Sequence, residues 1–187
     1  MGDATSKGKI YLPDGKQIET NYFLGAEMSG TAATTVNIFM EGYPMGLFYA
    51  YKTDGIVQIG QEDGPGLSKG ETLGIGSYRY VDMNGNGYID DADRTIVGDP
   101  NPDFTYGFNT SFRWRTLTLS ASFIGSYGND IYNVNKMMDT NTSGVIQNLT
   151  KDTVRKQWTP ENTDTWYPAI GALNGADVKW ASDRYVE

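Results

Sequence analysis

The sequence predicts an all-β, mainly antiparallel fold. Glycine and tyrosine are abundant, with 23 and 13 residues in a chain of 187, and this composition is typical of strands joined by tight turns. Apolar and polar residues alternate in several short stretches, which is the period of a strand with one buried face. Helical spacing of apolar residues occurs between Ile146 and Trp158, where we expect one short helix.

The first predicted elements are a hairpin and two strands. Asp14-Gly15 lies between the stretches 10–12 and 17–19 and supplies the positive φ angle that a tight turn needs, which predicts a small polar hairpin. Apolar residues alternate with other residues between 36 and 40 and predict a strand. After a Gly-Pro-Gly break, the aromatic stretch 47–52 predicts another strand.

The clearest strand pair lies between residues 103 and 127. Large apolar side chains occupy even positions from Phe104 to Trp114 and odd positions from Leu117 to Phe123. A two-residue loop would put both sets on one face, with Trp114 opposite Leu117, Phe112 opposite Leu119 and Phe108 opposite Phe123. Each strand has about the 9 to 11 residues that cross a bilayer as a tilted β-strand. A soluble sandwich hairpin alternates in the same way, so both readings remain open here.

An acidic loop at residues 82–93 has the spacing of an EF-hand-like calcium site. Oxygen-bearing side chains occupy its positions 1, 3, 5, 9 and 12, and Gly87 stands where a sharp turn is needed. The predicted ligands are the side chains of Asp82, Asn84, Asn86, Asp90 and Asp93 and the carbonyl of Tyr88. Only three of them are charged, which predicts a structural Ca²⁺ site with a Kd of about 10⁻⁴ to 10⁻³ M. The alternative is an acidic Asn-Gly turn that binds no metal.

The composition excludes several classes of function. The chain has no cysteine and no histidine, which removes thiol nucleophiles, imidazole metal sites and Ser-His catalysis. Its formal net charge of −8 argues against nucleic acid as a partner. The acidic pairs Glu62–Asp63 and Glu161–Asp164 are typical of solvated loops, with a hydrolase as a distant alternative. We therefore expect no catalytic residues and no enzymatic activity.

Four aromatic residues near the end of the chain are candidates for stacking on a sugar ring or on a partner protein. They are Trp158, Trp166, Tyr167 and Trp180. Aromatic side chains more often serve as packing groups, and this is the competing interpretation for each of them.

The order of short motifs from residue 42 onward provides a further clue. These motifs are residues 42–46 (GYPMG), 54–56 (DGI), 96–100 (IVGDP), 102–108 (PDFTYGF), 125–133 (GSYGNDIYN) and 157–162 (QWTPEN). Their order resembles the C-terminal part of the SusC/RagA-like TonB-dependent outer-membrane transporters. Residues 182–187 (SDRYVE) resemble the segment that leads into another strand in that family.

The resemblance implies that residues 1–187 are a partial C-terminal region of a transmembrane β-barrel with long extracellular loops. Residues 103–127 would be a barrel hairpin, residues 82–93 a cation-binding loop and residues 128–187 an outer-loop region. The side chains expected to face lipid are Phe104, Phe108, Phe112, Leu119 and Phe123, and those expected to face inward are Asn109, Ser111 and Ser120. Two such strands do not close a barrel, so this chain would not transport alone.

The resemblance also implies a function and partners. The parent protein would import glycans or oligopeptides across the outer membrane, and the present chain would contribute barrel strands and extracellular loops. Its partners would be a SusD-like surface lipoprotein lid, the substrate, outer-membrane lipid, and TonB through a region absent from this chain. The alternative function is that of a secreted carbohydrate-binding β-sandwich module with a structural calcium ion.

Overall fold

The computed structural model describes residues 6–28, 34–66, 73–140, 148–170, 179 and 181–187. Its strands are β1 Ser6–Tyr11, β2 Gln17–Leu24, β3 Asn37–Met40, β4 Leu47–Tyr51, β5 Thr53–Ile56, β6 Tyr78–Tyr80, β7 Arg94–Gly98, β8 Phe104–Trp114 and β9 Leu117–Tyr127. Its helices are α1 Val134–Thr140 and α2 Lys151–Lys156, with 3-10 turns at Asp91–Asp93 and Asp183–Tyr185. Most strand pairs are antiparallel, which confirms the predicted fold class.

Five strands close into a small barrel in the order β1-β2-β3-β4-β7. The closure is made by a short parallel contact between β1 and β7 at Tyr11 and Thr95. Alternate residues of β3 point inward, as the sequence predicted, so that Ile38 and Met40 are buried together with Leu47 of β4. The interior of this small barrel is one of the two apolar cores formed by the described residues.

The hairpin predicted at Asp14-Gly15 is confirmed. β1 and β2 pair antiparallel, and Ile10 lies opposite Ile18. The turn is closed by a 2.9 Å hydrogen bond from the Leu12 N–H to the Lys16 carbonyl, and Gly15 has a φ angle of 82°. A residue with a Cβ atom adopts that angle at a cost, which explains the glycine.

The second core lies beside the small barrel and includes the sheet formed by β5 and β6. It contains Tyr51, Tyr78, Tyr80 and Trp158, and the Trp158 indole N–H donates a 2.9 Å hydrogen bond to the Gln58 side chain. Residues 182–187 return to this core, since they form bridges with Tyr51 and Tyr132 and completely bury the Tyr185 side chain. We call the small barrel and this second core together the body.

The helix content differs from the prediction. Helix α2 lies within the predicted helical stretch and is capped by the Thr150 side chain. Helix α1 lies in a polar tract that we expected to be a loop. It forms because Met137 and Thr140 are buried on one side and Asn133 accepts a hydrogen bond from the Lys136 N–H at its start. In the described part of the chain, no helix has the length and apolar character needed to span a membrane.

Candidate membrane hairpin and acidic loop

The hairpin of β8 and β9 forms a two-stranded sheet separate from the body. It has eleven antiparallel residue pairs, from Phe104–Tyr127 at the open end to Trp114–Leu117 at the turn. The predicted register is therefore confirmed, including the pairing of Phe108 with Phe123. Among the described residues β8 and β9 pair with no other strand, so both outer edges leave backbone groups unpaired.

One face of this hairpin is almost entirely apolar and exposed. Its large side chains, each 55–66% exposed, are Phe104, Tyr106, Phe108, Phe112, Trp114, Leu117, Leu119, Phe123 and Tyr127. The opposite face carries polar residues such as Asn109 and Ser122, whose side chains hydrogen-bond across the strands at 2.6 Å. Ile124 is the large apolar exception on that face and is 86% exposed.

The apolar face of this hairpin is not covered in the way that a sandwich would cover it by any part of the chain that the structure describes. In a sandwich, a second sheet packs on the apolar face at a distance of about 10 Å. In the part of the chain that the structure describes, every large side chain on this face is more than half exposed. Contiguous exposed apolar surfaces are rare on soluble proteins and are typical of surfaces that lipid or another molecule covers.

The dimensions of the hairpin match a bilayer. Each strand has 11 residues, and at a rise of about 3.4 Å per residue its length is about 37 Å. With a tilt of about 40° it spans about 28 Å along the membrane normal, close to the apolar band of about 25 Å in outer-membrane barrels. Aromatic residues lie at both ends, with Trp114 near the turn and the stacked rings of Phe104 and Tyr127 at the open end.

The open end of the hairpin is fastened to the body. The Asp103 N–H donates to the Tyr127 carbonyl at 2.9 Å and extends the strand pairing by one step. Two hydrogen bonds of 2.8 Å then join Asp99 to Asp130. The Asp130 N–H donates to the Asp99 carbonyl, and the Asp99 N–H donates to the Asp130 carboxylate. The body thus lies at one end of the hairpin, and the two-residue turn of Arg115 and Thr116 lies at the other.

The acidic loop is organised around the Asp82 carboxylate. This group accepts hydrogen bonds from the backbone N–H groups of Gly85, Asn86 and Gly87 at 2.6, 3.3 and 2.7 Å. Gly87 has a φ angle of 88°, which agrees with the turn expected there. Ile89 is buried in the body core and holds the end of the loop in place.

The Asp93 carboxylate ties the two ends of the loop together. One oxygen accepts from the N–H groups of Met83 and Asn84 at 2.9 and 3.1 Å, and the other accepts from the Asp90 N–H at 2.8 Å. The Asp93 side chain is completely buried. Burial raises the pKa of Asp93, and the hydrogen bonds from Asp90, Asn84 and Met83 act in the opposite direction.

The predicted metal ligands all lie in this one loop, but the structure uses their oxygens for internal hydrogen bonds. The Asn84 and Asn86 side-chain oxygens accept from the N–H groups two residues further on, and both side-chain amides point to Asp90. The Tyr88 N–H is one of these donors. Among the described residues, no three acidic side chains gather closely enough to hold a metal ion by themselves. A cation here would therefore depend on amide and carbonyl oxygens as well.

The aromatic candidates for ligand stacking serve mainly in packing. Trp158 is 6% exposed and belongs to the body core. Trp166 is half-buried and lies between two cations, with the Lys136 ammonium 4.5 Å and the Arg184 guanidinium 4.3 Å from its ring centroid. Tyr167 packs edge-on against Trp166. Trp180 lies outside the described residues.

Sequence reasoning missed a polar cleft between α1 and α2. The cleft has a volume of about 660 Å³ and is lined by Asn133, Asn135, Lys136, Asp139, Thr140, Thr150, Lys151, Asp152 and Tyr167. Its first wall is helix α1, and because the sequence predicts a loop there, no residue of that wall is a candidate from the sequence alone. The signal available in the sequence was the capping Asn133 followed by the two methionines of α1.

An exposed apolar hairpin with long loops at one of its ends is an arrangement typical of the outer-membrane class of β-barrel proteins. Comparisons agree with this class. The chain is 33% identical over 160 residues to the TonB-dependent receptor P3 of Formosa agariphila, a match that covers 85% of this chain and 15% of that protein. It is 26% identical over 134 residues to the TonB-dependent receptor SusC of Bacteroides thetaiotaomicron, covering 70% of this chain and 12% of SusC. No protein-family model matches the sequence.

Solved structures show the same fold. The RagAB peptide transporter matches 97% of this chain with a TM-score of 0.57 and 22% identity, over 20% of the RagAB chain. The open-open state of the RagAB peptide importer matches with a TM-score of 0.58 and 19% identity. The chain thus has the sequence and fold of a segment of a SusC/RagA-like TonB-dependent receptor, as predicted. Such receptors are not enzymes, in agreement with the expectation of no activity.

Proposed function

We propose that this chain supplies barrel strands and extracellular loops to a TonB-dependent outer-membrane transporter that imports glycans or oligopeptides. The observation that carries this proposal is the apolar face of the β8–β9 hairpin, which is exposed along its whole length and has the span of a bilayer. Strands on both edges of the hairpin are needed to pair its backbone groups, and the rest of a barrel would supply them.

The arrangement of hairpin and body supports an extracellular position for the body. Outer-membrane barrels have short turns on the periplasmic side and long loops on the extracellular side. Here a two-residue turn lies at one end of the hairpin and the body at the other. The body would then meet the substrate and a SusD-like lipoprotein lid, and the polar cleft between α1 and α2 is a candidate contact surface. The similarity to SusC and to the RagAB peptide importer supports this partner and these substrates.

Light scattering on the purified chain tests the membrane hairpin. We expect aggregation in detergent-free buffer, because the exposed apolar face and the free strand edges self-associate, and dispersal when a mild detergent covers them. Circular dichroism in detergent should retain the strand signal. A stable, detergent-free monomer with the same strand content would contradict the proposal.

We also propose that the acidic loop binds Ca²⁺ weakly and structurally, with Asp82, Asn84, Asn86, Tyr88, Asp90 and Asp93 as ligands. The support is their spacing in one turn, together with the buried Asp93 carboxylate. Burial raises the pKa of Asp93 in the folded chain, so protonated Asp93 favours the folded state over the unfolded state. This contribution to stability is present at low pH and is lost as the pH rises through the raised pKa. A bound cation would favour the ionised form and reverse this effect.

Thermal unfolding with and without calcium tests the loop. At a calcium concentration about ten times Kd, binding stabilises the folded chain by about 1.4 kcal/mol and raises Tm by about 3 to 6 °C. The variant Asp82→Asn should lose this shift, whereas Asp54→Asn, at an exposed acidic residue of β5 outside the loop, should keep it. An equal Tm with calcium and with a chelator would contradict the metal site and favour the alternative of an acidic turn that binds no metal.

A further inference from the structure

The charges of the hairpin are confined to its turn. Between residues 104 and 127 the only charged side chains are Arg113 and Arg115, and there is no acidic residue, although the chain as a whole has a net charge of −8. The opposite end of the hairpin carries Asp99, Asp103 and Asp130. The hairpin therefore carries cationic side chains near its turn and acidic side chains at its open end.

Arg115 is held in a defined position at the turn. Its backbone has a φ angle of 52°, the one positive φ among the non-glycine residues that the structure describes. Its guanidinium carbon lies 5.4 Å from the centroid of the Trp114 ring, and Trp114 is 60% exposed at the end of the apolar face. The pair thus joins an aromatic ring of the apolar band to a cation at its polar edge, the usual arrangement of a side chain at a membrane interface.

The chemistry of this edge fits a phosphate group. A guanidinium binds phosphate oxygens through two parallel hydrogen bonds. The phosphate groups of lipids lie just outside the hydrocarbon core of a membrane, and Trp114 marks the edge of the apolar face of the hairpin. No carboxylate of the hairpin competes for Arg115. In the described part of the chain, Arg115 forms neither a salt bridge nor a side-chain hydrogen bond.

We propose that Arg115, stacked on Trp114, binds the phosphate headgroup of an anionic phospholipid in the leaflet on the turn side of the membrane. The proposal rests on the membrane hairpin of the proposed function. It assigns the turn to the phospholipid leaflet because short turns of outer-membrane barrels lie on the periplasmic side, opposite the lipid A leaflet.

Flotation with vesicles tests the proposal. The chain is transferred from detergent into vesicles of phosphatidylcholine alone or with phosphatidylglycerol, and the membrane-bound fraction is measured at two salt concentrations. Each arginine near an anionic surface strengthens binding about fivefold. We expect Arg115→Asn, which tolerates the positive φ, to reduce the enhancement of binding by phosphatidylglycerol about fivefold. Arg115→Lys should recover only part of it, because an ammonium binds phosphate without the paired hydrogen bonds of a guanidinium. Arg155→Asn, at an exposed arginine of α2 on the body, is the matched control and should bind like the native chain.

The outcomes separate this proposal from the proposed function. Binding that is equal on both kinds of vesicle, with Trp fluorescence still shifted to the blue, would overturn the headgroup site and leave the membrane hairpin intact. A lack of binding to every vesicle would instead contradict the membrane hairpin itself. Stronger enhancement by lipid A than by phosphatidylglycerol would overturn the assignment to the phospholipid leaflet.

Discussion

Replacing Phe123 with arginine is expected to weaken insertion of the hairpin into a bilayer by about 2 to 4 kcal/mol, a loss of roughly 30- to 1,000-fold. Phe123 lies near the middle of β9 on the apolar face, opposite Phe108. At the bilayer midplane a guanidinium loses its hydration, and a lipid-facing position offers no acidic partner. Partitioning between urea solution and phosphatidylcholine vesicles measures the effect.

The neighbouring residue provides a matched control. Ile124 is also apolar and even more exposed, at 86% against 58% for Phe123, but it lies on the opposite, polar face of the hairpin. We expect Ile124→Arg to change insertion by less than about 1 kcal/mol, because the face that carries Ile124 also carries Asn109 and Ser122 and would turn away from the lipid chains. The two substitutions introduce the same charge one residue apart. A difference between their effects on insertion therefore depends on which face of the hairpin carries the charge.

Equal losses for the two substitutions would contradict a one-sided membrane hairpin. A smaller loss for Phe123→Arg than for Ile124→Arg would reverse the assignment of the lipid-facing side. Circular dichroism in detergent must show that both variants keep the strand content of the native chain, since a misfolded variant also fails to insert.

The hairpin was predictable because its signal is local. The alternation of side chains from Phe104 to Phe123 fixes both faces, and the parity change around Arg115 fixes the register, so no distant residue is needed. Glycine at the predicted turn of the acidic loop was readable for the same reason, since Gly87 needs its positive φ wherever the loop lies.

The body was not predictable in the same way. The small barrel depends on the pairing of β4 with β7, which are separated along the chain by β5, β6 and the acidic loop. A strand pattern states which residues face inward but not which distant strand becomes the neighbour. Helix α1 was missed because a short polar helix gains its stability from the burial of Met137 against the body, and this contact is not visible in its own sequence.

The two acidic residues that organise the loop are expected to differ in their contribution to stability. Asp93→Ala should lower the free energy of unfolding by about 3 kcal/mol, because a completely buried carboxylate that accepts three backbone N–H groups is removed. Urea unfolding in detergent and a calcium chelator, followed by tryptophan fluorescence, measures the change without a contribution from metal binding.

Asp82→Ala is the matched comparison, since Asp82 also accepts three backbone N–H groups, and these lie in the exposed part of the loop. Water replaces the lost carboxylate there, so we expect a cost of about 1 kcal/mol. Equal costs would show that burial of Asp93 contributes nothing beyond the hydrogen bonds themselves. A cost for Asp82→Ala that exceeds that of Asp93→Ala would show that the turn at Gly85–Gly87, rather than the tie between the loop ends, controls the stability of this region.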